Sequence, residues 1–127
     1  MARVVLDTSA LLAFVTGERG GEAVADAIAD ALISTVNLAE AVTKLVDRGA
    51  SLDRARQVLA IADYEIVDFD RRQAEETGAL IGKTRHRGLS LGDRACLALA
   101  HREGVPALTA DRRWVEVDVG VEVRLFR

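Results

Sequence analysis

The sequence predicts a three-layer α/β/α fold with a mostly parallel central sheet, and three observations carry that expectation. Short β-favouring runs alternate with helical segments, half of the 127 residues are hydrophobic, and no repeat, low-complexity stretch or linker interrupts the order. Parallel strands are joined by crossover helices, which cover both faces of a sheet. A chain of this length supplies one substantial core, so a single domain over residues 1–127 is expected.

Each element has a local cause. Arg3 to Leu6 favours β structure, and DTSALLAF then offers carboxylate and hydroxyl caps ahead of good helix formers, so the first strand turns directly into a helix. Gly20 and Gly21 break the chain before EAVADAIADAL, residues 22–32, where Val24, Ala27, Ile28 and Ala31 recur at helical spacing. LIST predicts a second strand and VNLAEAVTKLVDRG a helix closed by Gly49. SLDRARQVLAIAD continues as another helix with one apolar stripe, and YEIVDF predicts a third strand. Asp70 and Gln73, at capping-box spacing, open a helix through about Thr84 that Gly78 and Gly82 weaken and the basic KTRHRG ends. In LSLGDRACLALAHREG the middle, Ala95 to Ala100, is apolar all round and therefore packed on two sides. VPALT predicts a fourth strand, ADRRW a new helical start and VEVRLF a last strand.

Composition narrows the function classes. The net charge is −3, from 17 basic and 20 acidic residues, so any nucleic-acid contact must come from a local basic patch. Cys96 is the only cysteine, which excludes an internal disulfide framework and a multi-cysteine zinc site and implies a reducing compartment. No apolar run approaches the roughly 20 residues of a membrane span. A soluble, cytoplasmic protein without a membrane partner is expected.

Four acids fall at equivalent places on this map. Asp7 ends the first strand, Glu40 lies one turn into the helix after LIST, Asp93 lies in the opening turn of the apolar helix, and Asp111 follows the strand ALT. In an open parallel sheet those places share the carboxyl edge, where ligands bind. Taken singly, each acid reads as a cap: Asp7 and Asp111 at N-caps, Asn37 with Glu40 and Ser90 with Asp93 at capping-box spacing. Taken together they point to a divalent cation, because hard ions take oxygen ligands and capping needs no convergence. Two carboxylates about 4 Å apart repel by roughly 4 kcal/mol at an effective dielectric of 20, so a converged set without a cation must protonate or spread apart.

VVLDTSALLA, TVNLAEAVTKL, LSLGDRACLALA and ALTADRRW, in that order, resemble the PIN-domain ribonucleases, most closely the VapC-type toxins of toxin–antitoxin pairs. The resemblance runs from Val4 to the terminal GVEVRLF and implies a PIN-like fold and a Mg²⁺- or Mn²⁺-dependent endoribonuclease. The family's acidic quartet falls on Asp7, Glu40, Asp93 and Asp111, with Asp7, Asp93 and Asp111 as the main metal ligands and Glu40 as a ligand or water-orienting group. Its helper hydroxyls fall on Thr8, with Ser9 beside it, and on Thr109. The resemblance further implies products with 5′-phosphate and 3′-hydroxyl ends, a VapB-like antitoxin that occludes the acidic groove, and a homodimer.

An acidic pocket repels RNA, so neighbouring cations are needed to hold the backbone. Arg85, His86 and Arg87 before the Asp93 loop, and Arg112 and Arg113 after Asp111, are placed for this, and equally for helix-end charge or a solvated face. Asp118 is a further carboxylate beyond the last acid, open between ligand and solvated loop. Trp114 and Cys96 read as core, and His101, about 12 Å along the helix from Asp93, stands outside the site. Leu11, Leu12 and Phe14 are open between core and a partner contact.

Two other chemistries share the fold class. A phosphatase of the haloacid dehalogenase type resembles D-x-D-x-[TV], but Asp7 is followed by Thr8 and Ser9. A phosphate-accepting receiver would need an acid pair where Asp7 stands alone, although Asp68 and Asp70 could serve as acceptors. The non-enzymatic alternative is an interaction module that binds RNA through its basic patch without cutting it.

Overall fold

The computed structural model describes residues 3–127. Five short strands, β1 (Val4–Leu6), β2 (Ala31–Ser34), β3 (Glu65–Val67), β4 (Ala107–Thr109) and β5 (Val123–Leu125), form a wholly parallel sheet in the order β3-β2-β1-β4-β5. The α/β expectation holds, and the strands are all parallel.

Side-chain alternation along the strands divides the interior in two. Val4, Leu6, Ala31, Ile33 and Leu108 join one core cluster with α1 (Thr8–Thr16), α3 (Thr35–Asp47) and α4 (Leu52–Leu59). Val5, Leu32 and Ala107 join the other with Trp114 and with Cys96, Leu97 and Leu99 of α7 (Leu91–Glu103). All six residues from Ala95 to Ala100 are buried, because α7 lies between the strands β1, β2 and β4 and the helices α3 and α5 (Arg71–Ala79). Leu11 and Leu12 are core residues and Phe14 packs against them, so the first two offer no surface to a partner.

Three boundaries differ from the sequence expectation. The helix expected over 22–32 stops early: α2 covers Gly21–Ala25, a 3₁₀ turn covers Ile28–Asp30, and Ala31 and Leu32 pair with Val4 and Val5 as β2. Both residues are essentially inaccessible in the sheet interior, and that burial outweighs the helix propensity of an alanine-rich run. The helix expected from Asp70 to Thr84 is divided into α5 and α6 (Ile81–Thr84), and a 3₁₀ turn over Arg85–Arg87 closes on Gly88 at φ 64°. Asp70 accepts from the Gln73 amide at 2.8 Å, but the Gln73 side chain is buried with both amide atoms unpartnered, so only half of the expected capping box forms. After β4 the new helical start is a 3₁₀ helix, Arg112–Glu116, anchored by the buried Trp114. No helix among the described residues is long and apolar enough to cross a membrane.

Leu97 is completely buried in the α7 cluster, whereas Ile61 is 60% exposed. Urea unfolding is expected to show Leu97→Ala losing about 2–5 kcal/mol and Ile61→Ala staying within about 0.5 kcal/mol.

Candidate metal centre

The chain runs outward from β1 through β2 and β3, then returns to place β4 on the other side of β1. In open α/β sheets the crevice at such a reversal, beyond the strand carboxyl ends, is where ligands bind. Asp7 follows β1 directly and Asp111 lies just beyond β4. α3 brings Glu40 and α7 brings Asp93 to the same place, and all four acids line one cavity of about 380 Å³. A wider groove of about 700 Å³ opens alongside, sharing Glu40 and Lys44 and walled by Phe69 and Leu91.

Three of the acids are also caps. Asp7 accepts from the Ala10 amide at 2.8 Å, and Asp111 from the Arg113 amide at 3.0 Å. Ser90 and Asp93 form a complete capping box, with Ser90 N donating to Asp93 Oδ2 at 2.8 Å and Asp93 N to Ser90 Oγ at 3.2 Å. Glu40 is different. Ser34, not Asn37, caps α3, and the N-x-x-E spacing instead lets Asn37 Nδ2 donate to Glu40 Oε1 at 3.2 Å from within the helix.

Hydroxyls fix the carboxylates. Thr8 Oγ1 donates to Glu40 Oε1 at 2.6 Å, Ser9 Oγ to Asp7 Oδ1 at 2.7 Å and Thr109 Oγ1 to Asp7 Oδ2 at 2.6 Å. The amides of Ala110 and Asp111 in turn donate to Ser9 Oγ at 3.2 Å and Thr109 Oγ1 at 3.0 Å, which ties the segment after β4 to the one after β1. A methyl group at Gly92 would collide with the Glu40 carboxylate, so the absence of a side chain there makes room for this acid.

Burial pushes the Asp7 carboxyl up to about 6, against the lowering effect of bonds from Thr109, Ser9 and Ala10, and the Asp93 charge adds to the rise. Burial also raises Asp93, while Arg113 holds Asp111 below the ordinary carboxylate value through its hydrogen bonds.

A family model for the PIN domain matches residues 4–120. The chain belongs to the PIN domain family. Solved structures agree in fold. A toxin–antitoxin complex from Klebsiella pneumoniae superposes with a TM-score of 0.76 at 21% identity over 98% of each chain. DNA-bound VapBC from Salmonella typhimurium gives 0.76 at 20% identity over 100% of each. The sarcin–ricin-loop-cleaving toxin VapC20 of Mycobacterium tuberculosis gives 0.72 at 19% identity over 93% of this chain and 98% of that one. Among curated proteins, no sequence relative matches.

Within this PIN domain the acids line one cavity but are not gathered at ligating distance. Among the described residues no three His, Cys, Asp or Glu side chains form a group that could hold a metal as they stand. Two sets of contacts hold the acids in place: Arg113 pairs with Asp111, and Thr8 and Asn37 fasten Glu40. The donor set nevertheless suits a hard divalent ion, being all oxygen. Among the described residues, the buried Asp7 has no cationic partner and the buried Asn37 Oδ1 has no hydrogen-bond partner.

The remaining expectations divide. Arg85 and Arg112 are exposed, Arg87 pairs with Glu116 at 2.8 Å, and His86 Nε2 lies 3.3 Å from the Glu116 carbonyl. Only Arg113 of the basic residues singled out in the sequence lines the acidic cavity. Asp118 is exposed and does not reach that cavity, His101 lies against Gly120, and Trp114 and Cys96 are core as expected. Sequence reasoning missed Asn37 and Lys44 as lining residues. Asn37 carried a signal, its spacing to Glu40, but that spacing matched a cap; Lys44, one turn beyond Glu40, looks like any solvated helix residue.

A carboxyl whose folded value is about 6 against 3.8 when free holds its proton more tightly in the fold. Its ionisation therefore costs roughly 3 kcal/mol above pH 6, and that cost fades as the pH falls toward 3.8. With chelator present, urea unfolding is expected to show Asp7→Asn more stable than the native chain by up to about 3 kcal/mol near pH 7.5, the gap closing near pH 4.

Proposed function

We propose that this PIN domain is a Mg²⁺- or Mn²⁺-dependent endoribonuclease, acting as the toxin of a toxin–antitoxin pair and inhibiting growth or translation. One observation carries the reading: four carboxylates from separate stretches of the chain line a single cavity at the sheet's point of reversal, and the most buried of them, Asp7, has no cation beside it among the described residues.

Asp7, Asp93 and Asp111 would hold the ion, with Glu40 binding directly or through a water. When bound, the ion supplies positive charge at the scissile phosphate and acidifies the attacking water. The chain's own residues prepare that chemistry. Thr109 and Ser9 hold both Asp7 oxygens in fixed directions, and Thr8 and Asn37 do the same for one Glu40 oxygen, so the other Glu40 oxygen would be left to bind the ion or orient a water. Lys44 at the cavity and the exposed Arg85 and Arg112 supply cations for the RNA backbone, with Arg87 and Arg113 available once their carboxylate partners are exchanged. The fold shared with VapBC proteins supports a VapB-like antitoxin as partner; a homodimer and a cytoplasmic location complete the proposed reading.

Mn²⁺ at about 100 times its dissociation constant is expected to stabilise the native chain by about 2.7 kcal/mol in thermal unfolding, and Asp7→Asn to abolish most of that gain. Absence of any metal-linked shift in the native chain would favour the alternative, an RNA-binding module whose acids are caps only. Sequencing RNA 5′ ends after induction is expected to reveal sites present with the native chain and absent with Asp7→Asn; indistinguishable profiles would overturn the nuclease reading. Gly92→Ala is expected to remain folded yet lose at least about tenfold in cleavage, because its methyl displaces the flexible end of Glu40.

A further inference from the structure

Arg113 lies where the metal reading needs open space. Its Nη2 donates to Asp111 Oδ2 at 2.5 Å, and its Nε lies 3.0 and 3.2 Å from the two Asp111 oxygens. The same Nη2 is 3.7 Å from Asp93 Oδ2, and Nη1 donates to the carbonyls of Arg87 at 3.2 Å and Gly88 at 3.3 Å. One guanidinium thus bridges two of the three proposed main ligands. A divalent cation held by these carboxylates would compete with the guanidinium, since the two positive charges would repel at contact distance.

The side chain is free to leave. It is 49% exposed, and its backbone is fixed independently by the buried Trp114 next to it, so rotation of the arginine stem disturbs no core packing. The carbonyl acceptors it would give up belong to exposed residues that water can serve in its place. An ion pair at this exposure is weak, whereas carboxylates that close on a divalent ion would bind it more strongly, so the exchange would favour the ion. Once released, Arg113 stands at the cavity rim with its planar donor fork unpaired, a geometry suited to a phosphate.

We propose that Arg113 is a resident counter-ion that exchanges with the divalent cation: it bridges Asp111 and Asp93 until the ion enters, and the ion's entry frees it to hold an RNA phosphate. This rests on the metal-dependent ribonuclease reading and adds an order to it, cation before RNA, with one side chain coupling the two. Coupling of this kind is reciprocal, so RNA held by Arg113 also tightens the ion.

Mn²⁺ titration by calorimetry without RNA separates exchange from a merely structural role, because the two predict opposite signs. Removing a competitor tightens the ion, whereas removing a support for Asp111 loosens it. Arg113→Ala is expected to bind Mn²⁺ about three- to tenfold more tightly than the native chain, and Arg113→Lys to lie between them. In ¹⁵N spectra of the native chain, the Arg113 Nε–H signal is expected to move to the position of a free arginine as Mg²⁺ is added. Unchanged or weaker Mn²⁺ binding in Arg113→Ala, or an Arg113 signal indifferent to saturating Mg²⁺, would overturn the exchange while leaving the metal reading intact. No Mn²⁺ binding by either protein would overturn both.

Discussion

The arrangement depends on a carboxylate kept out of water at the end of the central strand. Asp7 is only 6% exposed, yet it has both oxygens engaged by hydroxyls and one further engaged by a helix amide. Those bonds partly offset desolvation and fix direction, but hydroxyls and amides carry no full charge to neutralise it. The remaining deficit makes the cavity receptive to positive charge. Ser9 and Thr109 not only touch Asp7 but also receive the amides of Ala110 and Asp111, so the groups that hold the first acid place the last one as well.

Caps and ligands are not rival explanations for these acids. A cap consumes one oxygen lone pair of a carboxylate and fixes the group at a helix start; the second oxygen remains for other work. In Asp93 the cap engages Oδ2 while Oδ1 makes no hydrogen bond among the described residues. The helical segments that start beyond β1 and β4, and the start of α7, face one crevice, so the acids that cap them gather there, whereas Asp70, the cap of α5 beyond β3, does not line it.

Much of this was legible in the chain. Three of the acids could be read because Asp7 and Asp111 lie where a strand gives way to a helical segment and Glu40 one turn beyond such a place; Asp93 could be read from its position in the opening turn of the apolar helix. The layered fold was legible from the same alternation of strand and helix, as was the burial of α7 from the unbroken apolar run Ala95 to Ala100. What was not legible came from tertiary contacts. Ala31 and Leu32 suit a helix as well as a strand, and only pairing with β1 and β3 decides between them. Asn37 matched a cap pattern that Ser34 fulfils instead, and the pairing of Arg113 with Asp93 depends on two loops meeting across the cavity. Polar side chains inside helices leave no periodic trace, so their partners are visible only in three dimensions.

The bond from Thr109 to Asp7 joins residues 102 positions apart, and β1 lies in the middle of the sheet between a neighbour from the first third of the chain and one from the last. On a ribosome the two sides of the cavity are therefore made at very different times. The first acid waits through most of translation with the flank that Thr109 and Asp111 supply still unmade, and contacts of such long sequence separation form late in folding as well. A chain stalled or truncated before residue 109 carries three of the four acids but not the strand that closes the crevice around them. Under the proposed nuclease reading, the nascent polypeptide would lack a complete site until β4 and Asp111 have been made.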